Sequence, residues 1–302
     1  MRAASTFGIA FESSKRDDAM TKRAISWRLE IGDAGMLAAG RWFWPRVIAW
    51  TALLFGVTVG AFFAALEMSG WISTLRGHET AIALLVPAAM LGVYAIAVRL
   101  GERRPVSELR LSRAPAELAA GAAIGFTFIS LALLLLWGLG LYDVRLGTWR
   151  DPWRYFVFNA YISAVLEELA FRAILLRLFA RMFGPWPGLV LSAALFGLAH
   201  ASHASPVAVL ELIVNGGAFL GLLYLASGRL WFAIGAHVAY DFTEWSLMGV
   251  GDSDGLLVAT PAANHPAWLT GGSFGPDGSV LTALVGALLT WSIVVAHRRW
   301  SR

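Results

Sequence analysis

The sequence predicts an all-α, polytopic membrane helix bundle of about eight transmembrane helices with both termini cytoplasmic. Three observations carry that prediction. Of the 302 residues, 58% are hydrophobic and 15% charged, with a mean hydropathy of +0.64, whereas soluble domains average about 25% charged. Apolar runs near the roughly 20 residues that cross a bilayer as helix recur along the chain. The basic residues alternate between loops as a membrane topology requires. A net charge of +4 points to nucleic acid in a soluble protein, but here topology and anionic lipid account for it, and no nucleic-acid partner is expected. The chain has no cysteine, which removes disulfides, thiol nucleophiles and thiolate metal sites together.

Residues 1–46 are polar and basic and lack an apolar core long enough for a signal peptide, so they read as an uncleaved, partly disordered cytoplasmic leader, with Met20 as an alternative start. Runs at 47–66, 80–98 and 118–142 form three N-terminal spans within 47–142. The fourth begins at Tyr155, meets Glu167 and Glu168 at depth, and continues through Arg172, Arg177 and Arg181. Gly184, Pro185 and Pro187 then break the chain. Further spans follow at 187–203, 207–227, 230–250 and 279–296. The chain divides accordingly into the leader, the three N-terminal spans, a four-helix core over 150–250, an external loop over 251–278, and a last span with its basic tail over 279–302.

Loop charge sets the orientation. Twenty Lys and Arg fall on one side, and only Arg76, Arg145, Arg150 and Arg154 on the other. The 251–278 loop carries Asp252, Asp254 and Asp277 but no Lys or Arg, as an external loop does. Trp42, Trp44, Trp71, Trp153, Trp186, Trp231 and Trp300 stand near span ends, where indole prefers the interface.

An ionised side chain at mid-bilayer costs about 2.5 to 3.5 kcal/mol on insertion scales, so each needs a partner or a task. Such residues cluster in the second half: Glu167 and Glu168 on span four, His200 on five, Glu211 and Asn215 on six, and His237, Asp241 and Glu244 on seven. Counted from the cytoplasmic ends at 1.5 Å per residue, Glu167, His200, His237 and Asp241 lie roughly 15, 20, 12 and 18 Å deep. Three helices thus converge on one buried polar site, expected to open toward the cytoplasmic half. Glu168 and Arg172 are i,i+4 and suit an ion pair, which leaves Glu167, rotated by about 100°, free. His237 and Asp241 share one stripe with Glu244, and Phe196 lies one turn below His200. Glu211, Asn215, Glu244 and His203 fall outside these pairs and are expected to serve helix contacts or a water-filled path.

Glu-Glu-x-x-x-Arg (Glu167, Glu168, Arg172), Phe-x-x-x-His (Phe196, His200) and His-x-x-x-Asp (His237, Asp241) on successive apolar helices resemble the CAAX prenyl protease and bacteriocin-processing family, also called Abi or CPBP. The resemblance covers roughly 150–250. It implies an intramembrane endopeptidase acting on a membrane-embedded or lipid-anchored protein or peptide, in the plasma (inner) membrane of a prokaryote. By it Glu167 activates water, His200 assists, and His237 with Asp241 stabilises the oxyanion, while Glu168, Arg172 and Phe196 support. Where the family has Asn or Asp, an ionised Asp241 accepts hydrogen bonds and cannot donate to an oxyanion, so a donor, an orienting and a ligand role all stay open.

No metal is favoured, because the chain lacks a His-Glu-x-x-His pair and thiolates, yet zinc stays open with Glu167, His200 and His237 as candidate ligands. Two other classes compete. A proton-coupled transporter would use the same charges as a relay, although no internal repeat supports one. A non-catalytic immunity or scaffold protein would keep the fold alone.

Overall fold

The structure, a computed structural model, describes residues 28–72, 79–250 and 255–300. Most of the leader, the alternative start Met20, Arg76, Asp252 and Asp254 lie outside the described residues. The chain is mostly helical. Its long helices are α1 (Phe43–Ile72), α2 (Glu79–Ala97, extended by a wide turn to Glu102), α3 (Ala114–Gly138), α4 (152–183), α5 (Pro185–Ala199), α6 (Pro206–Ser227), α7 (230–247) and α8 (Val280–Trp300).

Four helical segments are long and apolar enough to cross a membrane: Phe43–Ala64, Leu84–Glu102, Ser107–Gly138 and Pro206–Ser227. Their outward faces are greasy, with Leu53, Val57, Leu85, Ile96, Leu131 and Leu134 all exposed, as lipid-facing helices require. Apolar helices at Pro185–Ala199 and Val280–Ala296 are shorter. The all-helical expectation misses one element. β1 (Tyr142–Leu146) pairs antiparallel with β2 (Leu257–Pro261), joining the connection after α3 to the one after α7. Short alternating segments in loops carry no periodic signal strong enough to separate them from coil.

Two packing features position the site. α3 and α7 meet backbone to backbone: a Cβ on Gly121 would stand 2.2 Å from the Phe232 carbonyl oxygen, and one on Gly125 would stand 2.0 Å from that of Ala236. Small residues four apart allow such an approach between membrane helices. At the end of the bundle where α2 stops, the Arg177 guanidinium takes both oxygens of Glu102 at 2.7 Å, and Arg104 bonds Glu102 at 2.8 Å and Glu108 at 2.6 and 2.9 Å. Tyr94 donates to Glu108 at 2.5 Å and reaches the Ala173 carbonyl at 3.1 Å. Arg104 and Arg177 are buried, so Arg104 of the 99–113 loop does not serve the expected attraction to anionic lipid. Both are consumed in an internal network, because a buried charge persists only when paired.

Candidate functional site

α4 and α7 bring two of the three motifs into contact. Glu168 is buried, with Oε1 2.9 Å from Arg172 Nη1. The expected pair is therefore present by distance, but neither Nη of Arg172 finds a well-aligned hydrogen bond. Charge and the Phe196 ring, 4.7 Å from the guanidinium carbon, hold it instead. Glu168 Oε1 has a second partner that spacing within one helix could not indicate: it accepts a 2.8 Å hydrogen bond from Nδ1 of His237. A carboxylate only accepts, so Nδ1 carries the proton. The other ring nitrogen, Nε2, then faces Glu167 Oε2 at 4.0 Å and Asp241 Oδ2 at 3.6 Å.

Glu167 keeps one oxygen available. Ser163, one turn earlier, donates to Oε1 at 2.9 Å, leaving Oε2 on the His237 side. Sequence reasoning passed over Ser163, although its i,i+4 spacing to Glu167 was a usable signal. His200 follows the last residue of α5, and its Nδ1 lies 2.9 Å from the Phe196 carbonyl oxygen. That oxygen only accepts, so Nδ1 donates and Nε2 keeps its lone pair. No hydrogen bond or ion pair joins His200 to Glu167, His237 or Asp241 among the described residues. Phe196 stands between the histidines, its ring centroid 5.2 Å from that of His200 and 6.3 Å from that of His237.

Ser163, Glu167, Phe196, His200, His237 and Asp241 line one cavity of about 660 Å³, and Glu168 and Arg172 lie behind its wall. Its wall includes Gly125 and Phe128 of α3, outside the predicted four-helix core, and Ser273, Phe274 and Asp277 from the segment predicted to be an external loop. The Tyr240 hydroxyl donates to Asp277. Burial pushes the Asp277 carboxyl up to about 6 from an ordinary 3.8, against the opposing pull of that hydrogen bond and of the two histidines. Glu211, Asn215, Glu244 and His203 also reach the cavity wall. The cavity wall thus reaches Ser273–Asp277, while Glu102 and Arg177 are not among its lining residues. Depth along separate helices could not reveal a connection that folds inward.

Residues 149–243 match the family model of type II CAAX prenyl endopeptidase Rce1-like proteins. This segment is similar to the Rce1-like family. No curated protein and no solved structure matches the chain. The Rce1-like segment contains all seven motif residues from Glu167 to Asp241 and Ser163, while Glu244, Asp277 and the α3 wall lie outside it.

The zinc that the sequence left open would be held by Glu167, His200 and His237, all within the Rce1-like segment. Catalytic zinc takes three protein ligands at about 2.0 to 2.2 Å. Among the described residues no group of three or more His, Asp or Glu is arranged to hold a metal ion. Glu167, His200 and His237 share the cavity, but His200 is turned into its own helix end through Phe196. As arranged, the three do not fit a zinc site.

Proposed function

We propose that the protein is an intramembrane endopeptidase that hydrolyses a peptide bond in a membrane-embedded or lipid-anchored protein or peptide of a prokaryotic inner membrane. The observation that carries this reading is the 4.0 Å separation of Glu167 Oε2 from His237 Nε2 at the wall of the cavity. That is too long for a direct hydrogen bond, yet one water about 2.8 Å from each group fits between them.

Glu167 takes a proton from that water as its oxygen attacks the scissile carbonyl carbon. The carbonyl π pair moves onto oxygen. His237 is the donor to this oxyanion: as an imidazolium it keeps Nδ1–H on Glu168 and turns Nε2–H to the developing charge. Asp241, beside Nε2, compensates the ring's positive charge, so an ionised Asp241 need not donate at all. The tetrahedral species collapses, the C–N bond breaks, and the proton held by Glu167 passes to the leaving nitrogen. His200, with its Nε2 lone pair free, accepts a hydrogen bond from the attacking water or the departing amine.

Membranes expressing wild type and Glu167→Gln at matched levels test this reading. New protein termini are expected only with wild type. The same termini from both overturn it.

A further inference from the structure

The part of the cavity beyond the motif residues is lined by three carboxylates, Glu211, Glu244 and Asp277, and by no Lys or Arg among the described residues. Glu211 and Glu244 are each 1% exposed and line the cavity. Each keeps one carboxylate oxygen without a hydrogen-bond partner, Oε2 of Glu211 and Oε1 of Glu244, and so does Oδ1 of Asn215. The partners these groups do have are neutral: Asn215 donates to Glu211 Oε1, and Tyr240 to Asp277. None of the described ion pairs includes Glu211, Glu244 or Asp277, and no Lys or Arg is among the cavity-lining residues. Buried carboxylates in that state call for a group bringing both donors and positive charge.

A resident metal is not that group, because the carboxylates do not converge in the manner an ion needs. An organic cation brings its own N–H donors and does not need close ligand convergence. An anionic carboxyl terminus is the opposite case: in this part of the cavity it would meet Glu211, Glu244 and Asp277 with no Lys or Arg among the described lining residues to receive it. Glu211 lies within the Rce1-like segment, and Glu244 and Asp277 lie outside it.

Resting on the peptidase reading above, we propose that Glu211, Glu244 and Asp277 form a subsite for a cationic group of the substrate, an ammonium or guanidinium, so that this enzyme cuts beside a basic residue or a free amino end. The subsite selects substrate and does not touch the reacting atoms.

The test uses the full chain carrying Glu167→Gln in nanodiscs of zwitterionic lipid, with empty nanodiscs as the baseline. The probes are N-acetylated, C-amidated leucine-rich peptides holding Lys, Arg, norleucine or Glu at one position, and the norleucine peptide with a free amino end. The Lys or Arg peptide, or the free-amine peptide, is expected to bind at least about tenfold tighter than acetylated norleucine, with the Glu peptide weakest. Tight binding of acetylated Lys or Arg assigns the subsite to a side chain; tight binding of the free-amine peptide alone assigns it to an amino end. Adding Glu211→Gln and Glu244→Gln should reduce the preference to within about twofold. Asp277→Asn, on the connection between helices, is the second variant and should weaken it at least about threefold even if the double substitution fails to fold. Binding of the Lys, Arg and free-amine peptides all equal to that of acetylated norleucine, or a preference that survives Asp277→Asn, overturns the proposal. Loss of Glu167-dependent cleavage in the membrane experiment strikes the peptidase reading instead, because binding is measured without turnover.

Discussion

Nδ1 of His237 donates a 2.8 Å hydrogen bond to Oε1 of Glu168, and this one contact fixes which ring nitrogen faces Glu167 and Asp241. Glu168 thus does two things at once, neutralising Arg172 and orienting the histidine. A buried ion pair that loses one partner costs about 3 to 5 kcal/mol, because the other charge is left uncompensated. Arg172→Met is therefore expected to destabilise the protein by about that amount, read as a fall in thermal midpoint. Adding Glu168→Leu should recover much of the stability and none of the activity, since His237 loses its anchor. Recovered cleavage in the double variant would show that Glu168 serves Arg172 alone.

Glu167→Gln keeps shape and the Ser163 contact, so insertion and thermal midpoint should stay near wild type. A positioned general base contributes about 10²- to 10⁴-fold. Cleavage, read as new termini, should fall by that factor.

Asp241 tests the electrostatics around His237. Nε2 of His237 is 3.6 Å from Oδ2 of Asp241 and 4.0 Å from Glu167. If the Asp241 charge holds His237 as the oxyanion donor, Asp241→Asn should lower turnover about 10- to 100-fold with KM little changed, because the interaction is made in the transition state. Turnover above half of wild type would show that the Asp241 charge is dispensable.

Gly125 sets the distance between α3 and the helix bearing His237. Any Cβ there stands 2.0 Å from the Ala236 carbonyl oxygen, so Gly125→Ala must push α7 away. Overpacking of this kind costs about 1 to 3 kcal/mol. Activity should fall more steeply than stability, since His237 moves with Ala236. A variant with wild-type rate and midpoint would contradict the close approach of the two helices.

Asp277 gives a pH signature. Burial raises its carboxyl from 3.8 to about 6 in the folded protein. The folded state therefore holds the proton more tightly than the unfolded one, and the contribution is full below pH 3.8 and is lost as pH rises through about 6. Unfolding followed across that interval should show stability from this group declining with pH. Asp277→Asn should make the decline shallower, and an unchanged slope would place its origin in another group.

Much of this was legible in the residues themselves. Apolar runs located each of the long helices to within a few residues, because helix length in a membrane is set by bilayer thickness. The i,i+4 spacing of Glu168 and Arg172, and of Phe196 and His200, was enough to expect their contacts, because such pairs lie on one helix face. The three motifs pointed to the family that the 149–243 match then gave.

What the sequence could not carry is every relationship between helices. Whether His237 meets Glu168 or only Asp241 depends on how α4 and α7 rotate against each other, and that rotation is set by α3 seating Gly121 and Gly125 on α7. The same holds for the cavity's far wall. Asp277 sits in a connection whose charge pattern says only that it lacks Lys and Arg, yet the tertiary fold turns it inward onto Tyr240. The sequence by itself determined the helices, their polar faces and the chemical groups available, since these follow from local periodicity and the cost of charge in lipid. The tertiary structure alone decided which nitrogen of His237 faces Glu167, that His200 stands apart behind Phe196, and that five carboxylates share one cavity. Those depend on contacts between residues far apart in the chain, for which no local pattern exists.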